Sequence, residues 1–253
     1  MTVPTVELSS GYEMPLLGLG TWQSKPGERE DVFITSKVWN TFHSATACKK
    51  HVVEILDQLQ LEYIDLMLIH WPFGFEEGGD PFPKIPGTDK TKPSSEDYVT
   101  TWKVLEDFVK EGKIRSIGIS NFNHKQIERL IANSTVKPSV LQVLTASLGN
   151  PGSAYFRKPG DPNVLTDPVV TKIAAAHGKT PAQVALRWAV QQNVIVIPKS
   201  TSEKRIKENA AVFDFQLTEA EMMEIDGLDR GWRIVDLSAS CSDHPHFPLL
   251  EEY

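Results

Sequence analysis

Cysteine is scarce: Cys48 and Cys241 are the only two in 253 residues, and neither has a metal-ligating neighbour at ligand spacing. That argues against a disulfide scaffold and suits a reducing compartment, so a cytoplasmic location is expected. Long apolar runs are missing as well. No stretch approaches the roughly 18 apolar residues of a membrane span. The opening MTVPTVELSSGYEM has neither the basic start nor the apolar stretch of a signal peptide. No membrane partner is expected. Positive charge is in the minority, with 26 Lys+Arg against 33 Asp+Glu and a formal charge of −7. This disfavours nucleic acid as a partner, although a local basic cluster can still hold a phosphate. A complete dinucleotide fingerprint is absent too, because Gly18-x-Gly20 is followed by Gln23 where the third glycine belongs. Histidines 43, 51, 124, 177, 244 and 246 show no ligand spacing apart from the tail pair, so no metal site is expected.

What is present is a globular composition, 40% hydrophobic and 23% charged, of a length suited to one large α/β domain. The start reads as a small hairpin, Thr5–Leu8 and Tyr12–Met14 about the turn dipeptide Ser10-Gly11. Beyond it come six short apolar runs without alternation: Leu16–Leu19, Val32–Thr35, Ile64–Ile69, Ile114–Ile119, Val140–Leu144 and Val194–Ile197. Strands buried on both faces read this way. Amphipathic stretches lie between them, clearest at Val52/Val53, Leu56, Leu59 and at Val99, Trp102, Leu105, Phe108/Val109, the second closed by Gly112 as a C-cap. Strand, helix, strand, repeated, predicts parallel β structure with crossover helices. An open doubly wound sheet and a closed βα barrel both satisfy that pattern.

The strand ends favour the barrel. The runs finish on polar residues, Lys37, His70, Ser120 with Asn121, and Lys199 with Ser200. In a barrel such positions gather at the C-terminal rim, where active sites are built. Spacing exposes two gaps. His70 follows Lys37 by 33 residues, one ordinary βαβ step, but Lys37 follows Gly20 by only 17. Only 79 residues separate Asn121 from Ser200, where two strands and three crossovers need about 90. The expectation is a TIM-type (β/α) barrel, incomplete, with about six of eight strands recognisable, in a single domain over residues 1–253.

The runs GLGTW (18–22), FITSKVWN (33–40), LIHWP (68–72), GISNFN (118–123) and IPKSTSEKRIKEN (197–209) stand in the order seen in the aldo-keto reductase family, which this chain resembles over nearly its whole length. LQLEYIDLMLIHWPFGFEEGGDPFPK, the later VFDF and the Gly231–Arg233 segment are most similar to its aldehyde reductase, or NADP-dependent alcohol dehydrogenase, branch. The resemblance implies a (β/α)8 barrel that binds NADP(H) without a Rossmann domain, a small aldehyde or ketone as substrate, and a monomer. By matching motif positions, it gives Lys37 and His70 as catalytic residues. Ser120, Asn121 and Gln142 would hold the nicotinamide carboxamide. Lys199, Ser200 and Arg205 would clasp the adenosine 2′-phosphate, with Glu208 and Asn209 near the adenine. Thr21, Trp22, Ser147, Leu148 and Asn150 are further cofactor candidates, and Trp22, Trp39 and Trp71 resemble the family's aromatic substrate pocket.

Two departures accompany the resemblance. The family's strand carrying a catalytic Tyr and Asp belongs between Gly27 and Arg29 and is absent, and a second loss follows Val143, removing the sixth helix and the start of the seventh strand. The expected function is NADPH-dependent reduction of small aldehydes by a shortened chain. The alternative is a non-catalytic NADP(H)-binding or partner-binding isoform. Lys204 and Lys207 beside Arg205 leave open a third possibility for that segment, a solvated basic helix start.

Overall fold

The computed structural model describes residues 3–20, 32–143, 148, 158 and 160–250. In chain order its elements are β1 (Thr5–Glu7), β2 (Glu13–Pro15), β3 (Thr35–Val38), α1 (Ala45–Leu59), β4 (Ile64–Ile69), α2 (Tyr98–Lys110), β5 (Ile114–Ser120), α3 (His124–Ala132) and β6 (Leu141–Gln142). They continue with α4 (Pro168–His177), α5 (Pro181–Gln191), α6 (Glu203–Ala210), α7 (Glu219–Asp226) and α8 (Ser238–Cys241). The chain divides into two compact units: Met1–Val6, Glu13–Glu30 and Thr145–Val235 in the first, Glu7–Tyr12, Asp31–Leu144 and Asp236–Tyr253 in the second.

The second unit is built on a four-stranded sheet in the order β3-β4-β5-β6, each pair parallel. β4 is buried at all six positions, which is why it reads as unbroken Ile-Asp-Leu-Met-Leu-Ile. Helices α1 and α2 cover one face. Helix α1 starts where Ser44 accepts from the Ala47 N–H at 3.2 Å and turns Cys48, Val52 and Leu56 inward, one per turn. Helix α2 starts at Asp97, which accepts from Val99 N–H at 2.9 Å. It ends before Gly112, whose φ of 72° supplies the left-handed step expected of that residue. Trp102, Leu105 and Phe108 of α2 meet Met67, Ile69, Ile117 and Ile119 of the strands in one core. Ser10, in the hairpin turn, lies 2.7 Å from Ser116 on β5, oxygen to oxygen, and Arg115 stacks on Tyr63 at 3.7 Å while pairing with Asp65 at 2.8 Å.

The first unit holds α4 to α7. Thr180 and Gln183 cap α5 reciprocally, as Thr218 and Glu221 cap α7. Val170, Ile173, Val184, Leu217 and Ile225 form its core. Here Leu17 and Val196 make a parallel bridge, extended by Gly18 N–H to Val196 O at 2.9 Å and Gly20 N–H to Pro198 O at 3.1 Å. All six apolar runs of the sequence therefore enter parallel pairings. One is displaced: the run expected at Val32–Thr35 is paired as β3 from Thr35 to Val38, because Val32 is left exposed and the ladder begins where Leu66 N–H reaches Ile34 O.

One position in the sheet permits no side chain. A Cβ at Gly118 would lie 2.6 Å from the Val140 carbonyl oxygen and 2.7 Å from Leu68 Cδ2. Gly118→Ala is expected to push β6 from β5 and to lower stability by about 1–3 kcal/mol in equilibrium urea unfolding; an unchanged midpoint would show that the contact relaxes freely.

Candidate functional site

Parallel register fixes which side chains share a face. Lys37 on β3 is paired with Leu68 on β4, Leu68 with Gly118 on β5, and Ser120 with Gln142 on β6. Side chains alternate with period two, so His70 points the same way as Leu68, and Ser120 the same way as Gly118. Lys37, His70, Ser120 and Gln142 thus lie on one face at the C-terminal ends of four consecutive strands, opposite the face packed on α1 and α2. The backbone carries the register one step past β4, with His70 N–H reaching Val38 O at 3.1 Å. Asn121 adopts φ 62°, a left-handed geometry that asparagine tolerates, and donates from Nδ2 to His70 O at 2.8 Å and to Ser120 Oγ at 3.0 Å. Its own N–H donates to Gln142 O at 3.2 Å.

Burial sets the electrostatics. The His70 pKa falls from 6.5 to about 3, chiefly because burial penalises the imidazolium and further because the Lys37 ammonium repels it. His70 is therefore a neutral ring at pH 7. Folding keeps it neutral, so the stability it favours is present above 6.5 and declines as the pH falls toward 3. Burial also lowers the Lys37 pKa from its ordinary 10.5. A desolvated cation and a neutral N–H donor on one face form a site suited to an oxygen atom that gains negative charge.

Aromatic rings wall this place. Trp39 stands edge-on to His70 with centroids 5.0 Å apart, and to Phe82 at 5.2 Å and Phe75 at 6.2 Å. Its indole N–H donates to Pro81 O at 2.8 Å, so the loop after β4 fixes the ring. Phe82 remains 52% exposed, an apolar surface beside the site. Trp71 is buried, its ring 5.4 Å from Phe73. Phe75 and Phe82 escape sequence reasoning because their contacts with Trp39 bridge sequence separations of 36 and 43 residues, with α1 and β4 between; the Gly78-Gly79 pair, both at positive φ, is a local sign of a chain folding back. None of the three described tyrosines joins this face. Tyr12 and Tyr63 flank Arg115 near the start of β5, and Tyr98 packs edge-on to Phe122.

The remaining site residues lie in the first unit. Lys199 follows the paired Val196–Pro198 stretch, and Lys199 Cβ would sit 3.1 Å from a Cβ at Gly20. Ser200 Oγ accepts from Ser202 N–H at 3.1 Å, and Ser202 in turn caps α6. Lys204 and Lys207 are engaged by Glu208 and Glu203 one turn away, at 3.8 Å and 2.7 Å. Lys199 and Arg205 have no such carboxylate among the described residues and stay exposed at the start of α6. Among the described residues, two cations of this turn are matched by carboxylates and two are not. Glu208 is half-buried and Asn209 is the buried residue of α6. Leu148 packs among Leu186, Val196 and Val212. Thr21, Trp22, Ser147 and Asn150 lie outside the described residues, as do both junctions where segments are expected to be missing.

Replacing Lys37 by methionine removes the cation facing His70 and should raise the His70 pKa, while burial still holds it below 6.5. Titration of the ring C–H signals by NMR reads this directly, and an unmoved His70 would place the Lys37 charge out of its reach.

A model of the Aldo/keto reductase family matches residues 16–153 and 146–230. Among curated proteins, aldo-keto reductase family 1 member A1 of Rattus norvegicus is 37% identical over 328 aligned positions, covering 100% of this chain and 100% of that protein. The Homo sapiens protein of that name is 36% identical over 328 positions with the same coverage. Among solved structures, the aldose reductase from Schistosoma japonicum is 34% identical and superposes with a TM-score of 0.89 over 99% of this chain and 100% of that one. That likeness gives the fold class, a TIM-type (β/α) barrel. Since 253 residues cannot fill 328 positions, at least 75 aligned positions have no residue of this chain, although both ends are matched.

Proposed function

The chain belongs to the aldo/keto reductase family of oxidoreductases, and from that premise we propose that it binds NADP(H) and reduces small aldehydes, as a single-domain cytoplasmic monomer. The observation that carries this reading is the shared face: Lys37, His70, Ser120 and Gln142 at adjacent strand ends, beside Trp39. The donor sets fit the cofactor. Ser120, Asn121 and Gln142 offer the paired donors and acceptors a planar carboxamide needs. Lys199 and Arg205, left without carboxylates, suit the 2′-phosphate that distinguishes NADP from NAD. When bound, NADPH supplies the hydride. The residues of the chain do the rest. Trp39 and Phe82 exclude water from the carbonyl. His70, neutral at pH 7, orients and donates a hydrogen bond to its oxygen, the Lys37 ammonium stabilises the negative charge that develops there, and a proton taken from water at His70 completes the alcohol.

A second reading has its own support: a binder of NADP(H) that does not turn over. The described tyrosines contact Arg115 or Phe122 rather than His70, and a chain without the Tyr- and Asp-bearing strand that the resemblance puts between Gly27 and Arg29 would keep the cofactor's donors while lacking the family's acid.

Titrating the chain with NADPH and following tryptophan fluorescence should show saturable binding tighter than for NADH. Arg205→Ala should weaken NADPH about tenfold to a hundredfold, the loss of a charge-assisted hydrogen bond, and leave NADH nearly unchanged. Equal losses for both would remove the 2′-phosphate assignment. His70→Ala should lower turnover of a small aldehyde about 10²- to 10⁴-fold with NADPH affinity intact. Tight NADPH binding with no turnover by the unmodified chain would establish the second reading.

A further inference from the structure

Residues 236–250 return to the second unit and lie on the loop after β4 and on the starts of α2 and α3. Thr91 N–H donates to Ser240 O at 3.0 Å, Gln126 Nε2 to His246 O at 2.9 Å and Asn123 Nδ2 to Pro248 O at 3.3 Å, while Lys90 pairs with Asp243. Two imidazoles of this segment, His244 and His246, lie with centroids 5.8 Å apart, and the buried His43 is near enough for their charge to act on it. His244 makes two ring hydrogen bonds, Nε2 to Ser94 O at 3.0 Å and Nδ1 from His246 N–H at 3.0 Å. A carbonyl can only accept and an amide N–H only donate, so Nε2 must carry the proton and Nδ1 a lone pair. The neutral ring alone satisfies both; a second proton would point at the His246 N–H. His43 is fully buried and neither ring nitrogen has a partner, so a charge there would have no acceptor. His246 stands edge-on to Tyr98 at 5.3 Å.

We propose that His43, His244 and His246 form a proton-released latch that holds residues 236–250 on the unit while all three rings are neutral and frees them on acidification. The charges facing the rings work in the same direction on balance. Burial and the nearness of His244 and His246 press the His43 pKa to about 3. Burial first, then His246, lowers that of His244, although its bond to Ser94 opposes this. For His246 burial again leads, with Arg129 adding to it and Asp97 opposing. Asp97 is already engaged by Arg129, which also lies over Tyr98 at 4.9 Å, and Asp243 by Lys90. Once released into water the rings of His244 and His246 protonate near 6.5, so each one that charges multiplies the release constant by up to about tenfold per pH unit below that value, while His43 stays with the unit and opposes any charge brought beside it.

Release would be felt at the aromatic wall. His244 and Phe247 rest on Phe73 at 5.4 and 5.9 Å, Phe73 on Phe75 at 5.7 Å, Phe75 on Trp39 at 6.2 Å and Trp39 on His70 at 5.0 Å. The latch itself does not depend on turnover or cofactor.

Hydrogen–deuterium exchange of the full chain at pH 7.5 and 5.5, corrected for the intrinsic pH dependence of exchange, tests it. Protection of residues 236–250 should fall at least tenfold at pH 5.5 while β5 keeps its own; unchanged protection of the tail overturns the latch. The combined variant His43→Leu, His244→Asn, His246→Asn should hold its tail equally at both values, since asparagine at 244 can still donate and accept without titrating. An equal loss in that variant would assign the effect to carboxylates and overturn the proposal. Should the variant not fold, the unmodified chain still decides: ring signals of His244 and His246 titrating at or above 6.5 refute a neutral latch, and values below it support one.

Discussion

Everything at the candidate site depends on the alignment of four parallel strands with one another. The pairs Lys37 with Leu68, Leu68 with Gly118 and Ser120 with Gln142 leave no freedom in which side chains share a face. A slip of one residue at β4 would turn His70 toward α1 and α2 and bring Ile69 in its place. The register is secured from both sides. Ile69, Ile117 and Ile119 are committed to the helix-facing core, and Ser116, Gly118 and Ser120 are small enough for the other face to be crowded. Gly118 shows how tightly, since the Val140 carbonyl occupies the space its side chain would need.

Burial without neutralisation is the second theme. Lys37 and His70 are both withdrawn from water, and the imidazole responds by staying uncharged. The same physics governs His43, where burial and neighbouring rings act together. Exposed pairs on α6 behave in the opposite manner: Lys204 and Lys207 are matched locally, while Lys199 and Arg205 have no carboxylate among the described residues. Charge is thus handled in two ways, a buried ammonium beside a neutral imidazole in one unit and exposed cations in the other.

Much of this could be read from the chain. Ile64–Ile69 matches β4 residue for residue, and Gly112 sits at the end of α2 with positive φ, because continuous apolar runs and left-handed caps are local signals. Val32–Thr35 reads as a strand by apolarity alone, while pairing starts where β4 offers a partner, a fact no local window contains. The strand-end residues were legible as polar endings to apolar runs, so Lys37, His70 and Ser120 emerge from the sequence and meet on one face. Phe75, Phe82 and His43 do not, since their surroundings come from parts of the chain far away in sequence. The two gaps in spacing, at Gly20–Lys37 and Asn121–Ser200, accord with relatives whose alignment is longer than this chain by at least 75 positions.

The second unit is discontinuous, assembled from Glu7–Tyr12, Asp31–Leu144 and Asp236–Tyr253. A ribosome makes these pieces in order, with the first unit's helices emerging between the second and third. Asn123 and Gln126 can cap α3 as soon as it forms, but the carbonyls of His246 and Pro248 that complete their bonding arrive more than 100 residues later. Contacts so distant in sequence are slow to close. The sheet with α1 and α2 has its own core, so it can close before that, but Phe73 and Ser94 stay uncovered until His244 and Phe247 arrive, and the last contacts of this unit are the last that vectorial synthesis permits.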